Sequence, residues 1–237
     1  MIDLINKHEK YRRNSINLIP SENTISKKAL KALASDLAGR YGDEWYGGSK
    51  YSKQIYENTI KLAKKLFKTK YALISPLSGN LCDLATIFSF TKPYDKIAGI
   101  AKENGGYPLG YEKFNRKLYK IPMKEYEIDT EKLENKKFPL TLIASSIILF
   151  PHPIKKVRKK FEGIITYDAS HVLGLIAGGK FQQPLKEGAD VMTGSTHKTL
   201  PGPQGGIVLT NDGELYEKLK EYLLFDFVLS SNIGNIF

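Results

Sequence analysis

The feature that most constrains the fold is a series of short apolar runs, each separated from the next by enough chain for a crossover. Tyr71 to Ile74, Lys96 to Ala101, Leu140 to Ala144, Gly163 to Tyr167, Asp190 to Thr193 and Gly206 to Thr210 read as buried strands. Between them the pattern turns helical. Tyr56 to Phe67 has apolar residues at helical spacing, and Ser78-Gly79-Asn80 turns the chain into a helix running to about Phe90. Strands of this kind predict a largely parallel α/β sheet. In such sheets ligands gather beyond the carboxyl ends of the strands. Ser78, Ser146, Asp168 and Ser195 each fall just after a predicted strand, so the topology would bring them to one crevice.

Two of those strand ends carry chemistry. Tyr167-Asp168-Ala169-Ser170-His171 places an acid after an apolar strand. Ser195-Thr196-His197-Lys198-Thr199 places a lysine just before a rigid, glycine-rich loop, Pro201 to Gly206. A lysine held in this way can form an imine with an aldehyde cofactor, and a poorly solvated aspartate can keep a pyridine nitrogen protonated. Together they read as the two halves of a pyridoxal phosphate site. A buried carboxylate needs a partner, and a pyridinium N–H would be one. Taken alone, Asp168 also reads as a helix N-cap before Val172-Leu173-Gly174-Leu175, and Lys198 as a surface-loop lysine.

The remaining candidates carry weaker signals. Ser78-Gly79-Asn80 offers close backbone approach, a hydroxyl and a helix N-terminus to a phosphate, although strand-to-helix turns are commonly rich in serine and glycine. His171 is placed to reach a cofactor's phenolic oxygen, or is structural. Tyr107, after Gly105-Gly106, either stacks on a flat ring or packs half-buried. Ser21-Glu22-Asn23 lies outside the sheet, where a helix cap would account for it. Asp43 and Glu44, ringed by Tyr41, Trp45 and Tyr46, read as a proton-transfer pair or as an exposed turn.

Composition narrows the function classes. No window approaches the ~18 apolar residues of a membrane span, and the first residues lack the basic-then-apolar order of a signal peptide. The single cysteine, Cys82, permits no internal disulfide, which suits a reducing cytoplasm. The formal net charge of +11 invites a nucleic-acid reading, but the lysines are interspersed with glutamates. The densest run, Lys155 to Lys160, reads as the solvated face of a helix. Attraction of anionic substrates or cofactor uses the same charge. Residues 1–45 are expected to form an amphipathic helix and an irregular arm, and residues 46–237 the cofactor-binding domain. The end at Phe237 reads as unfinished.

From Ile16 to Asn232 the chain resembles serine hydroxymethyltransferase, of the fold-type I pyridoxal phosphate enzymes. The most specific pieces are Leu18-Ile19-Pro20-Ser21-Glu22-Asn23, Asp168 through Gly178 and Gly194 through Gly206. The resemblance implies that family's large domain, a mostly parallel seven-stranded sheet with helices on both faces. It implies Lys198 as the imine lysine and Asp168 as the pyridinium partner. Ser146 and His171 would lie near the phenolic oxygen, Ser78 and Gly79 at the phosphate, and Tyr107 on the ring where the family usually has histidine. His197 and Tyr41 join the cofactor contacts, and Ser21 approaches the bound amino acid. The family's catalytic glutamate maps to Asp43 or Glu44 in a shortened segment. Tyr41 and Tyr46 would serve the neighbouring subunit's site in a homodimer.

The implied reaction moves the serine hydroxymethyl group to a reduced pterin and leaves glycine, with retro-aldol cleavage of 3-hydroxy amino acids as a related activity. The chain ends before the family's smaller C-terminal domain, which supplies the arginine that grips the substrate carboxylate. None of Arg12, Arg13, Arg40, Arg116 and Arg158 matches that arginine. A catalytically deficient cofactor-binding or subunit-binding remnant is therefore the alternative expectation.

Overall fold

The computed structural model describes residues 1–39 and 50–223. Its helices are α1 (Ile2–Arg13), α2 (Lys27–Leu33), α3 (Ser52–Phe67), α4 (Gly79–Phe90), α5 (Ile154–Lys160), α6 (Leu173–Ala177), α7 (Pro184–Glu187) and α8 (Gly213–Glu221). Its strands are β1 (Tyr71–Leu73), β2 (Lys96–Gly99), β3 (Lys117–Lys120), β4 (Met123–Lys124), β5 (Glu127–Ile128), β6 (Lys136–Ala144), β7 (Phe161–Asp168), β8 (Val191–Ser195) and β9 (Gly206–Thr210). Strands β4 and β5 form a small separate hairpin; the other seven form one sheet in the order β1-β9-β8-β7-β6-β2-β3.

All pairings from β8 through β7, β6 and β2 to β3 are parallel, whereas β9 runs antiparallel to both β8 and β1. The cause is the length of the connection. Only residues 196–205 join β8 to β9, too few for the crossover that a parallel neighbour requires. That short connection carries Lys198.

Alternation along the central strands divides the core between two faces. Val191 and Val208 pack with Cys82 and Ala85 of α4 and Leu219 of α8. Their neighbours Met192, Ile207 and Leu209 belong to the opposite cluster, with Phe67 of α3, Val157 of α5 and Leu173 of α6. Helices therefore cover both faces, and the strands are apolar on both sides for that reason. The basic run Lys155 to Lys160 lies on α5, with Ile154 and Val157 buried beneath it. Arg158 turns inward instead of facing solvent: it pairs with Asp190 and donates to the carbonyls of Gly188 and Gly163.

The first two helices bury no residue. The arm between them is tied by an Arg12–Glu22 ion pair of 3.0 Å and by Asn17, which donates to the same carboxylate. The expected boundary near residues 45 and 46 lies outside the described residues. Among the described residues no helix is long and apolar enough to cross a membrane, and no group of three histidine, cysteine or acidic side chains could hold a metal ion.

Candidate active site

Three strand ends and one helix start meet at the carboxyl edge of the sheet. Asp168 closes β7, Ser195 closes β8, and Ser78 caps α4 just beyond β1 by accepting from the Leu81 amide at 3.3 Å. Residues Ser78, Tyr107, Asp168, His171, His197 and Lys198 all line one crevice of about 280 Å³, together with Asn80, Ser170, Ser195 and Gln204. Of the four residues expected to converge, Ser78, Asp168 and Ser195 line this crevice, and Ser146 does not.

Asp168 is only 5% exposed. Its Oδ1 accepts from the Ser170 amide at 2.8 Å and from the Ser170 hydroxyl at 2.6 Å. This is a local turn, not a helix cap: the residue capping α6 is Val172, without a side-chain bond. Ser170 Oγ in turn accepts from the Ser195 amide at 2.9 Å and from its hydroxyl at 3.1 Å, which fastens the end of β7 to the end of β8. Burial raises the Asp168 pKa, while the Ser170 donors and the Lys198 charge pull it back.

Lys198 leaves β8 on a loop closed upon itself. Thr196 donates to the carbonyls of Gly205 and Pro203, and Gly202 donates back to that of Thr196. Thr199 accepts from the Gly174 amide at 3.1 Å, which anchors the loop to α6. The lysine Nζ lies 3.3 Å from His171 Nε2. Burial, reinforced by the Lys198 charge, lowers the His171 pKa to about 4, and His197 moves in the same direction for the same causes. Both imidazoles are therefore neutral at pH 7. That leaves His171 Nε2 free to accept from the ammonium.

The start of α4 is fitted tightly against this floor. A Cβ on Gly79 would collide with Ser195 Oγ and come within 2.7 Å of Ser170 Oγ, so only glycine brings the helix N-terminus so close. Tyr107 is set by main-chain bonds at the end of β6: its amide donates to the Ala144 carbonyl at 3.0 Å, and Gly106 bridges Ser145. Ser146 is half-buried beside this segment, its amide donating to Gly105 at 2.8 Å, and it is not part of the crevice lining. Ser21 also lies off the lining, but its neighbour Asn23 donates to the Thr199 carbonyl at 3.2 Å, so the arm reaches the lysine loop. Tyr41, Asp43, Glu44 and Tyr46, like Arg40, lie outside the described residues.

Sequence reasoning passed over Asp83. It is 1% exposed and sits beneath the crevice, where it accepts from Thr193 Oγ1 at 2.6 Å. A signal was available. Asp83 is the lone charged residue of α4, one helical turn beyond Gly79 and hence on the same face. Ser170 and Gln204 also escaped assignment, being polar residues without a diagnostic spacing of their own.

The donor set fits pyridoxal phosphate. A lysine amine, a buried carboxylate, a close-packed helix N-terminus and an aromatic face border one cavity, and each matches one part of that molecule.

Comparison with known proteins agrees with this reading. A family model described as serine hydroxymethyltransferase matches residues 1–224. The serine hydroxymethyltransferase of Methanobrevibacter smithii is 41% identical over 231 residues, covering 88% of this chain and 54% of the relative. That of Pyrococcus furiosus is 37% identical over 254 residues, covering 98% and 59%. The chain thus spans little more than half the length of these curated relatives. The solved L-threonine transaldolase of Pseudomonas fluorescens matches the fold with a TM-score of 0.89 over 99% of this chain and 59% of that one, at 23% identity. The sheet is accordingly that of a fold-type I pyridoxal phosphate transferase. Sequence and crevice lead to the same assignment: this chain belongs to the serine hydroxymethyltransferase family, whose cofactor is pyridoxal phosphate.

Proposed function

We propose that this chain carries the cofactor-binding part of a serine hydroxymethyltransferase active site, and that the protein moves the serine hydroxymethyl group to a reduced pterin, leaving glycine. Retro-aldol cleavage of other 3-hydroxy amino acids uses the same bond scission. The observation that carries the reading is the meeting of Lys198, neutral His171 and buried Asp168 around one crevice. Bound pyridoxal phosphate supplies an electron sink for the pair released when the Cα–Cβ bond breaks.

The chain's own groups bind and orient. Lys198 holds the cofactor through Nζ, and Asp168 accepts from its ring nitrogen. Ser78, Gly79 and the first amides of α4 take the phosphate. Tyr107 covers the ring face, while His171, Ser146 and His197 bear on its polar edge. Ser21 approaches the amino acid from the arm. Asp43 or Glu44, with Tyr41 and Tyr46, moves the proton of the substrate hydroxyl.

The substrate carboxylate needs a cation. Among the described residues no arginine lines the crevice: Arg12 pairs with Glu22, Arg13 with Glu9, Arg158 with Asp190, and Arg116 is buried against Thr91 and Phe114. The alternative reading, a catalytically deficient cofactor-binding or subunit-binding remnant, predicts a chain that holds the cofactor without responding to an amino acid.

The working unit we infer is a homodimer. Leu62 and Leu66 of α3, 66% and 47% exposed, line an apolar trough with Leu200 and Pro203 of the Lys198 loop. Exposed apolar surface of this kind marks an interface. A single, buried, free thiol is consistent with work in the cytoplasm. The arm of residues 1–45 and the domain of 46–237 are kept as the proposed division.

The deciding experiment is the visible absorption of the chain with pyridoxal phosphate, before and after glycine. The expected result is a bound-cofactor band that shifts with glycine and is absent from Lys198→Ala. A band unmoved by glycine supports the remnant reading. No band in the native chain overturns both.

A further inference from the structure

Beneath the crevice lie two acids where one would suffice. Asp83 on α4 and Asp168 at the end of β7 are 1% and 5% exposed, and Asp83 accepts from Thr193, the residue paired beside Asp168 in the β7–β8 register, so the two buried carboxyl groups are neighbours. Their other partners differ. Asp168 receives two hydrogen bonds, both from Ser170. Asp83 receives one, from Thr193, on Oδ1; its Oδ2 is buried and has no donor among the described residues. Two neighbouring carboxylates in a medium of low dielectric cannot both be ionised, so the pair retains one proton. The proton belongs on the acid with fewer donors, Asp83, whose buried Oδ2 accepts from no donor among the described residues and as a hydroxyl would have the neighbouring Asp168 to donate to.

We propose that Asp83 is a proton-carrying positioning residue: its neutral carboxyl donates a hydrogen bond to Asp168, keeps that carboxylate ionised and holds it facing the crevice. This rests on the reading of Asp168 as the partner of the cofactor's ring nitrogen. Without such a donor, burial alone would favour protonating Asp168, and a protonated Asp168 would lose the charge that pairs with a protonated ring nitrogen. The directions of titration agree. Burial, then the neighbouring Asp168 charge, pushes Asp83 well above the ordinary carboxylate range, while the hydrogen bond from Asp83 works to lower Asp168.

The test uses the full chain without cofactor. Infrared spectra at neutral pH, with ¹³C-labelled aspartate to mark the carboxyl stretch, should show one protonated aspartate. The band should vanish in Asp83→Asn and survive in Asp168→Asn. Absence of the band from the native chain, or its survival in Asp83→Asn, overturns the proposal. If Asp83→Asn fails to fold, Asp168→Asn still decides: a lost band places the proton on Asp168.

A second readout separates positioning from packing. Asp83→Asn, whose amide can donate as the acid did, should hold pyridoxal phosphate nearly as the native chain does. Asp83→Leu, of similar size but without a donor, should bind it about tenfold more weakly or worse. Equal affinity of the two variants would sink the idea. Because the infrared band needs no cofactor, failure of this proposal is distinguishable from failure of the site assignment.

Discussion

Single residues in this chain show how burial sets protonation. His152 is buried, and its backbone is clamped by Gln182, which accepts from its amide at 2.9 Å and donates to its carbonyl at 3.0 Å. Its Nε2 has no hydrogen-bond partner among the described residues, and burial lowers its pKa to about 4. The unfolded chain takes up this proton near the ordinary value of about 6.5. Between those two values the unfolded state therefore binds more protons, and stability falls as the pH falls. The full cost by pH 4 is on the order of 3 kcal/mol for this one group. Urea unfolding of the native chain and of His152→Leu across that range should show a shallower acid slope in the variant. The same slope in both would mean that His152 does not titrate on unfolding. His171 is held neutral in the same way and contributes to the slope of both proteins.

The site was only partly legible at this scale. Asp168 and Lys198 stand beside recognisable strand and loop patterns, so their types and places suffice to suggest chemistry. Asp83 offered a lone acid in an apolar helix, whose meaning depends on a strand far away in sequence. No local spacing states that α4 packs over the end of β7.

At the scale of elements, the strands were read where both of their neighbours are apolar and lost where the pattern breaks. The sequence placed strand starts at Leu140 and Gly163, whereas β6 begins at Lys136 and β7 at Phe161. The missed residues lie on or before an irregularity in the β6–β7 register, between Lys137 and Leu140 on β6. Pro139 has no N–H for the ladder, and Gly163 has φ +103° opposite it. Both residues argue against a strand until the bulge that needs them is seen. Strand β3 was overlooked because it is a four-residue edge with lysine at both ends, the polar pattern that protects an exposed edge.

The bulge predicts its own sensitivity. A Cβ on Gly163 would run into the Phe138 carbonyl, in a backbone conformation that L-residues rarely adopt. Gly163→Ala should therefore cost about 1–3 kcal/mol in urea unfolding. An unchanged midpoint would show that the bulge relaxes freely. Since β7 ends in Asp168, the same variant should also loosen the crevice floor.

For the whole molecule, the main question is what covers the apolar trough. Its walls come from α3 on one side and from the loop between β8 and β9 on the other, so a second copy seated there would press on the segment that carries Lys198. Leaving Leu62 and Leu66 in water is unfavourable by roughly 1.5–3 kcal/mol for each side chain that an interface would bury. Replacing both with glutamate adds two charges to that interface on each subunit, and buried unpaired charges are far more costly than lost apolar contact. Because both side chains already face solvent in the single chain, the double variant should fold. Sedimentation velocity should then show the native chain as a dimer and Leu62→Glu/Leu66→Glu as a folded monomer. If the trough is the interface, the monomer should also hold pyridoxal phosphate less tightly, because the lysine loop loses its outer support. A double variant that remains dimeric would move the interface elsewhere and leave the Lys198 loop dependent on its own hydrogen bonds to Gly205, Pro203 and Gly174.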